Sequence, residues 1–297
     1  FDHADLTDFD FSKLVKIKKI TLFFSEITAT EFNKIPVEGK ASLEELTLYK
    51  MDVTAFNFSG CIALKSLHLG RSKGLSAKQF NEIPNKKLIE DLSLSNVQIK
   101  DFDFSEFINL RDLYLMGFSE PSYLSSAVRA LGFNYSAPFA KEFNAIPSEG
   151  RASIRNLYLG HEDNSLFGSS AYRDVAGYDF SGFTGLESLI LNSTKGLSAE
   201  QFNNIPNKNS IKDLNLQDVN VADFEFSELT GLEKLNLTHA REFTALPDNI
   251  ASFTCLKSLS VNNIPELRSL PTGITNLARG CRVDISDCGL SETVLGK

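Results

Sequence analysis

One phrase, L-x-x-L-x-L with Ile or Val replacing some leucines, recurs eleven times along the chain. Its copies begin at Ile17, Leu43, Leu64, Ile89, Leu110, Ile154, Leu186, Ile211, Leu232, Leu256 and, in degenerate form, Gly280. Successive starts stand 26, 21, 25, 21, 44, 32, 25, 21, 24 and 24 residues apart. The fourth and sixth positions are apolar and the third and fifth mostly polar, the period-two alternation of a half-buried strand. One such strand cannot bury its apolar face alone, but copies stacked side by side form a parallel sheet over a shared core. The expected fold is therefore an α/β solenoid. It is a right-handed leucine-rich-repeat arc, with a parallel sheet on its concave side and short helices alternating with extended or 3₁₀ segments on its convex side.

The segments that return from one strand to the next are of two kinds. The short kind carries F-x-F-S at 56–59, 102–105 and 224–227, with Tyr178 leading the copy at 178–181. A 21-residue spacing leaves little room there for a regular helix. The long kind carries F-N-x-I-P at 32–36, 80–84, 143–147 and 202–206. Three of these open with a capping box, Thr28 with Glu31, Ser76 with Gln79 and Ser198 with Gln201, which predicts a short helix. The proline is expected to end it, because it disfavours helical geometry in the residue before it. The structural unit is thus a double repeat of about 46 residues. Thirteen of the 24 Phe occupy these two slots once Phe9 and Phe11 of the N-terminal copy are counted, while Trp is absent. Such regularity reads as a stacked core ladder in preference to a ligand-binding aromatic cage.

Length and composition narrow the function. A 297-residue chain that is 42% apolar can bury a large core, and the phrases run nearly end to end, so one domain over 1–297 is expected. The chain begins at Phe1, and Phe9-Asp10-Phe11-Ser12 already matches a short return, so a piece of a longer protein is expected. No run of residues has the length and apolarity of a membrane span. A net charge of −8 argues against nucleic acid, whose binding rests on Lys and Arg. Four cysteines, Cys61, Cys255, Cys281 and Cys288, show no clustered cap spacing. Cys61 and Cys255 fall in core-like places, a bridge between Cys281 and Cys288 is the minor alternative, and a reducing compartment is preferred.

Catalytic chemistry is sparse. None of His3, His68, His161 and His239 has a His or Cys at metal-ligand spacing. Asp101 and Asp103 flank Phe102 as Asp8 and Asp10 flank Phe9, but Asx turns explain that slot better than a calcium ladder. The sequons at Asn57, Asn134, Asn192 and Asn236 read as chance occurrences unless the chain passes through an oxidising pathway. No catalytic residue, metal or cofactor is expected within the chain.

The expected work is binding protein on the concave face, as a monomer. The third, fifth and seventh positions of each phrase point outward from the sheet, and large side chains concentrate in the first seven strands. The candidate partner-binding residues are Phe23, Tyr49, His68, Asp91, Asp112, Tyr114, Met116, Tyr158 and Ile190. The later strands carry mainly Ser, Asn and Thr. A plain strand face is the alternative reading, since Tyr is common in strands generally. Glu45, Asp91 and Asp112 would make the surface acidic and its partner patch basic. Two insertions, near 117–138 and 161–176, leave the same edge of neighbouring repeats, where additions often bind.

The closing stretch carries a family resemblance. Leu270-Pro271-Thr272-Gly273-Ile274, and Val283-Asp284-Ile285 running on to Cys288-Gly289-Leu290-Ser291, resemble the last repeats of bacterial effector leucine-rich domains. These include a type III-secreted group in which the domain precedes a novel E3 ubiquitin ligase. That group closes with V-x-L-x-x-N-P-L-S; here Cys-Gly stands for Asn-Pro, the repeats are longer and Phe-based, and the ligase's Cys-x-Asp motif is absent. The resemblance implies a target-recognition module delivered by a bacterium into the host-cell cytosol, with any catalysis beyond Lys297. The alternatives are a surface or secreted receptor or adhesion-type domain binding an extracellular ligand, and a location in the bacterial cytoplasm or on the cell surface.

Overall fold

A computed structural model of the chain describes residues 6, 9–117, 139–160, 172–277 and 280–290. They fall into two compact units, the first running up to Ile154 and the second from Arg155 onward. Every phrase supplies one strand, and the chain is a leucine-rich-repeat α/β solenoid. In the first unit the strands are β1 (Lys19–Phe23), β2 (Glu45–Tyr49), β3 (Ser66–His68), β4 (Asp91–Ser93) and β5 (Asp112–Tyr114). Each pairs in parallel with the next, third position against third position: Lys19, Glu45, Ser66, Asp91, Asp112.

In the second unit β6 (Asn156–Tyr158) is followed by β7 (Arg173–Asp174), β8 (Ser188–Ile190), β9 (Thr194–Lys195) and β10 (Asp213–Asn215). Then come β11 (Lys234–Asn236), β12 (Ser258–Ser260) and β13 (Arg282–Asp284). The sheet order is β6-β8-β10-β11-β12-β13, all parallel, with β7 and β9 forming a separate two-stranded ladder.

The returns behave as two kinds. Helices α1 (Ala29–Asn33), α3 (Ala77–Asn81) and α6 (Ala199–Asn203) each start on the expected capping box, with both reciprocal bonds present. The fourth copy, α4 (Ala140–Asn144), has no side-chain cap. The prolines do more than end these helices. Each helix stops before its proline, and Pro36 and Pro147 then stand at the N-caps of second short helices, α2 (Val37–Ser42) and α5 (Ser148–Ser153). Where two fewer residues follow the proline, left-handed Asn85 and Asn207 lead instead into 3₁₀ turns at Lys86–Leu88 and Lys208–Ser210. The proline's fixed φ suits a helix start, which is why it opens the second turn. The F-x-F-S segments at 56–59, 102–105 and 224–227 hold no helix.

Aromatic stacking joins the two kinds of return. Phe32 stacks on Phe56 at 4.6 Å, Phe80 on Phe102 at 4.4 Å and Phe202 on Phe224 at 4.4 Å, all with nearly parallel rings. Most of these rings are buried, but Phe224 is only half-buried. Over Phe56 and Tyr178 lie capping-box helices whose Gln79 and Gln201 amides donate to the carbonyls of those residues. No such helix follows Phe224, whose next return is the 3₁₀ segment Asp248–Ser252.

A second device is the asparagine of F-N-x-I-P. Asn33 Nδ2 donates to the carbonyl of Ala55 while its Oδ1 accepts from the N–H of Asn57. Asn81 does the same with Asp101 and Asp103, and Asn203 with Asp223 and Glu225. Each asparagine clips the backbone of the following F-x-F, whose edges would otherwise lack partners. Beneath the helices sit cations, buried at Lys86 and Lys208 and half-buried at Arg151. Lys86 and Lys208 donate to the carbonyls of Asn81 and Asn203, and Arg151 to those of Asn144 and Ile146. They satisfy carbonyls that a helix end leaves unpaired.

Phe104 is fully buried, whereas Phe23 is half-buried at the end of β1. Phe104→Ala should therefore destabilise the fold by roughly 3–5 kcal/mol, the cost of emptying a buried Phe site. Phe23→Ala should cost less than about 1 kcal/mol. Denaturant melts compare the two, and equal losses would contradict the assignment of faces.

Candidate functional site

The outward face of the first unit is set by strand register. Along β1 to β5 the third and fifth positions are half-buried or exposed while the fourth is buried. Asp91 and Asp112 are register partners, a pairing of like charges that costs stability when unrelieved. Asp91 is relieved by His68, whose Nε2 lies 2.7 Å from its Oδ2, and by the Ser66 hydroxyl at 3.2 Å. The His68 ring meets Tyr114 edge-on at 6.4 Å, reaching past small Ser93 between them. Lys19 pairs with Glu45 across β1 and β2.

At the strand ends Phe23 and Tyr49 are register partners with rings 5.8 Å apart. Gly70 occupies the seventh position next along. A Cβ there would stand 3.3 Å from the Tyr49 ring, so the missing side chain lets that ring lie across β3. Met116 is half-buried and Ser95 buried at the remaining seventh positions. The candidate residues thus assemble as two groups in this unit, Phe23 with Tyr49, and His68 with Asp91 and Tyr114 beside Asp112.

Tyr158 and Ile190 lie in the second unit, where they are register partners on β6 and β8. Two residues expected to face outward there are buried, Ser188 and Asn192. Asn192 packs against Gly160, where a Cβ would meet its Oδ1. The polar strands beyond are occupied internally. The side chains of Asn215, Asn236 and Asp284 accept from the backbone N–H two residues on, which shapes the strand exits. The Asn236 and Asn57 sequons are thereby engaged in turns, and Asp10, Asp103 and Asp179 make the same Asx turns in the F-x-F-S slots.

Residues 118–138 and 161–171, which hold most of both insertions, lie outside the described residues. All four cysteines are free, and Cys255 is exposed, contrary to its expected core position. Cys61 is buried, and burial pushes its thiol up to about 11. Among the described residues there is no group of three or more His, Cys, Asp or Glu able to hold a metal, and no helix long and apolar enough to cross a membrane.

Sequence reading by threes, fives and sevens missed two columns. The second position alternates in sign: Lys18, Glu44, Lys65, Glu90, Arg111 in the first unit and Arg155, Glu187, Lys212, Glu233, Lys257 in the second. Glu44 bridges Lys18 at 2.6 Å and Lys65 at 2.8 Å, Lys212 pairs with Glu187, and Lys257 pairs with Glu233. The eighth position is left-handed in nearly every described repeat, from Phe24, Lys50, Arg71 and Asn96 to Asp218, Asn263 and Asp287. Both columns were visible in the aligned phrases, the first as alternating charge and the second as an excess of Asn and Asp.

No protein-family model matches the chain, and no curated protein matches it. Among solved structures it is similar to an internalin (inlF) from Listeria monocytogenes at 18% identity and a TM-score of 0.49, covering 95% of this chain and 84% of that one. It is also similar to a leucine-rich-repeat protein of Leptospira interrogans at 13% identity and a TM-score of 0.42, covering 100% and 96%. Likenesses at this level do not say what the chain binds.

Hydrogen bonds from Lys18 and Lys65, reinforced by their charge, hold the Glu44 carboxyl down from its ordinary 4.5 to about 2. A carboxylate so lowered adds stability above its unfolded pKa and loses it as pH falls from about 4.5 toward 2. Carbon-detected titration should place Glu44 at about 2, well below its ordinary 4.5. Lys18→Ala with Lys65→Ala should return it to the ordinary range, and a midpoint unmoved in that variant would refute the ladder.

Proposed function

We propose that this chain is the target-recognition arm of a bacterial host-directed effector, with the outward face of β1 to β5 as its partner surface. The solenoid itself supports the binding half of this reading, since stacked repeats offer an extended surface for protein–protein interaction. The observation that supports the location is the contrast between side-chain uses. In the second unit Asn215, Asn236 and Asp284 are spent on strand exits, whereas in the first Tyr49, His68 and Tyr114 stand on the face in aromatic contacts. Aromatic anchors dominate the energy of most interfaces.

The third positions of β1 to β5 carry Lys19 against Glu45, Asp91 and Asp112, so this face remains acidic and its partner patch is basic. The resemblance of the closing repeat supports the effector half of the reading. Four free cysteines suit the reducing host cytosol where the partner would reside. The repeats act by binding, and any catalytic step belongs to a separate domain.

Pull-down from host-cell lysate with this chain as bait, followed by mass spectrometry, supplies the partner. Tyr114→Ala should then weaken it at least about tenfold, ~1.4 kcal/mol. Association should slow as salt rises. Full binding by Tyr114→Ala, with loss in Asn236→Ala and Ser260→Ala, would place the surface in the other unit.

A further inference from the structure

The eighth position forms a row along the strand-exit edge of the first unit, and its first three members are large side chains in left-handed backbone. Left-handed backbone is best tolerated by Asn, Asp or Gly, yet only four of the nine left-handed members among the described residues are Asn or Asp: Asn96, Asp218, Asn263 and Asp287, with Ser193 and His239 also left-handed in the second unit. Phe24, Lys50 and Arg71 adopt φ of 50°, 56° and 56° without that help. Their backbone is pinned there, since the N–H of Phe24 donates to the carbonyl of Tyr49, that of Lys50 to Gly70 and that of Arg71 to Ser95. The same turn is made by Asn96 in this unit, so the fold does not require large side chains at these three positions.

They form one cluster with the neighbouring strand ends. The Lys50 ammonium lies 4.7 Å from the Phe24 ring centroid and the Arg71 guanidinium 5.6 Å from that of Tyr49. Phe24 meets Tyr49 edge-on at 5.9 Å and is itself 37% exposed. Other lysines of this unit's edges are neutralised by carboxylates, Lys18 and Lys65 by Glu44, Lys19 by Glu45 and Lys73 by Asp52. Lys50 has no carboxylate partner among the described residues and is exposed. Two cations held over aromatic rings make a surface that is positive and apolar together. It stands beside a strand face that is acidic.

We propose that the cluster of Phe24, Tyr49, Lys50 and Arg71 recognises a linear acidic segment of the protein partner, with Asp or Glu beside an apolar side chain. The carboxylates answer Lys50 and Arg71, and the apolar group packs on the Phe24 and Tyr49 rings. This rests on the reading of the first unit as the partner face and adds a second, oppositely charged corner to it.

Selection of random linear peptides, displayed on phage, against the intact chain tests this without the native partner. The expected pool is rich in Asp and Glu next to aromatic or aliphatic residues. Synthetic copies should bind at least about tenfold more weakly to the Lys50→Ala, Arg71→Ala double variant, ~1.4 kcal/mol. They should keep their affinity for Tyr114→Ala, and circular dichroism should show both variants folded. Basic or neutral peptides, acidic peptides indifferent to the double variant, or an empty selection would each overturn the proposal. Peptides lost in Tyr114→Ala but not in the double variant would overturn it while leaving the strand face as the partner surface.

Discussion

No repeat in this chain can satisfy itself. Its strand has a short apolar side, its return has bare backbone, and both are completed only by the repeat that follows. The next strand extends the ladder, the next F-x-F receives the Phe of the helix before it, and the asparagine after that Phe grips the same backbone from outside. Stability in such an array is a sum of neighbour contacts, not of distant ones. Each contact is therefore made from a small, repeated set of residues, and those residues explain most of the sequence.

What the neighbour contacts do not use is free to vary. The sheet's outward positions carry no part of the Phe stacks, the asparagine clips or the cations beneath the helices. In the second unit that freedom is partly taken up by Asn and Asp shaping the strand exits. In the first it holds aromatic rings, a histidine on a carboxylate and a like-charged aspartate pair, together with cations in left-handed turns at the edge. Local features that cost stability without serving the repeat are the usual marks of a working surface.

Most of the fold was legible in the sequence because a period is easy to see. Eleven phrases gave eleven strands, and three capping boxes gave three helices at their stated starts. The second short helices after Pro36 and Pro147 were not foreseen, because proline was read only as a stop. The asparagine of F-N-x-I-P was visible but unexplained, since its two bonds reach twenty residues or more ahead. On the surface, Phe23 with Tyr49 and His68 with Asp91 and Tyr114 do assemble as strand register dictates. Phe24, Lys50 and Arg71 were passed over because the eighth position lies just beyond the alternating pattern, where a turn reverses the side-chain direction. Cys255 was misplaced because it stands one residue before its phrase, whereas buried Cys61 stands three before, a slot that buried Phe253 fills in that repeat.

The division between residues that join repeats and residues that face a partner is open to one direct measurement. Unfolding free energies from denaturant melts would be compared for two double variants in the first unit. Asn33→Ala with Asn81→Ala removes two clips and four hydrogen bonds to neighbouring backbone. It should cost about 2 kcal/mol or more, in keeping with the net worth of such bonds. Thr47→Ala with Ser93→Ala alters only the outward face and should stay within about 0.5 kcal/mol. The opposite order, with the outward pair costing more than the clips, would contradict the division on which the whole reading rests.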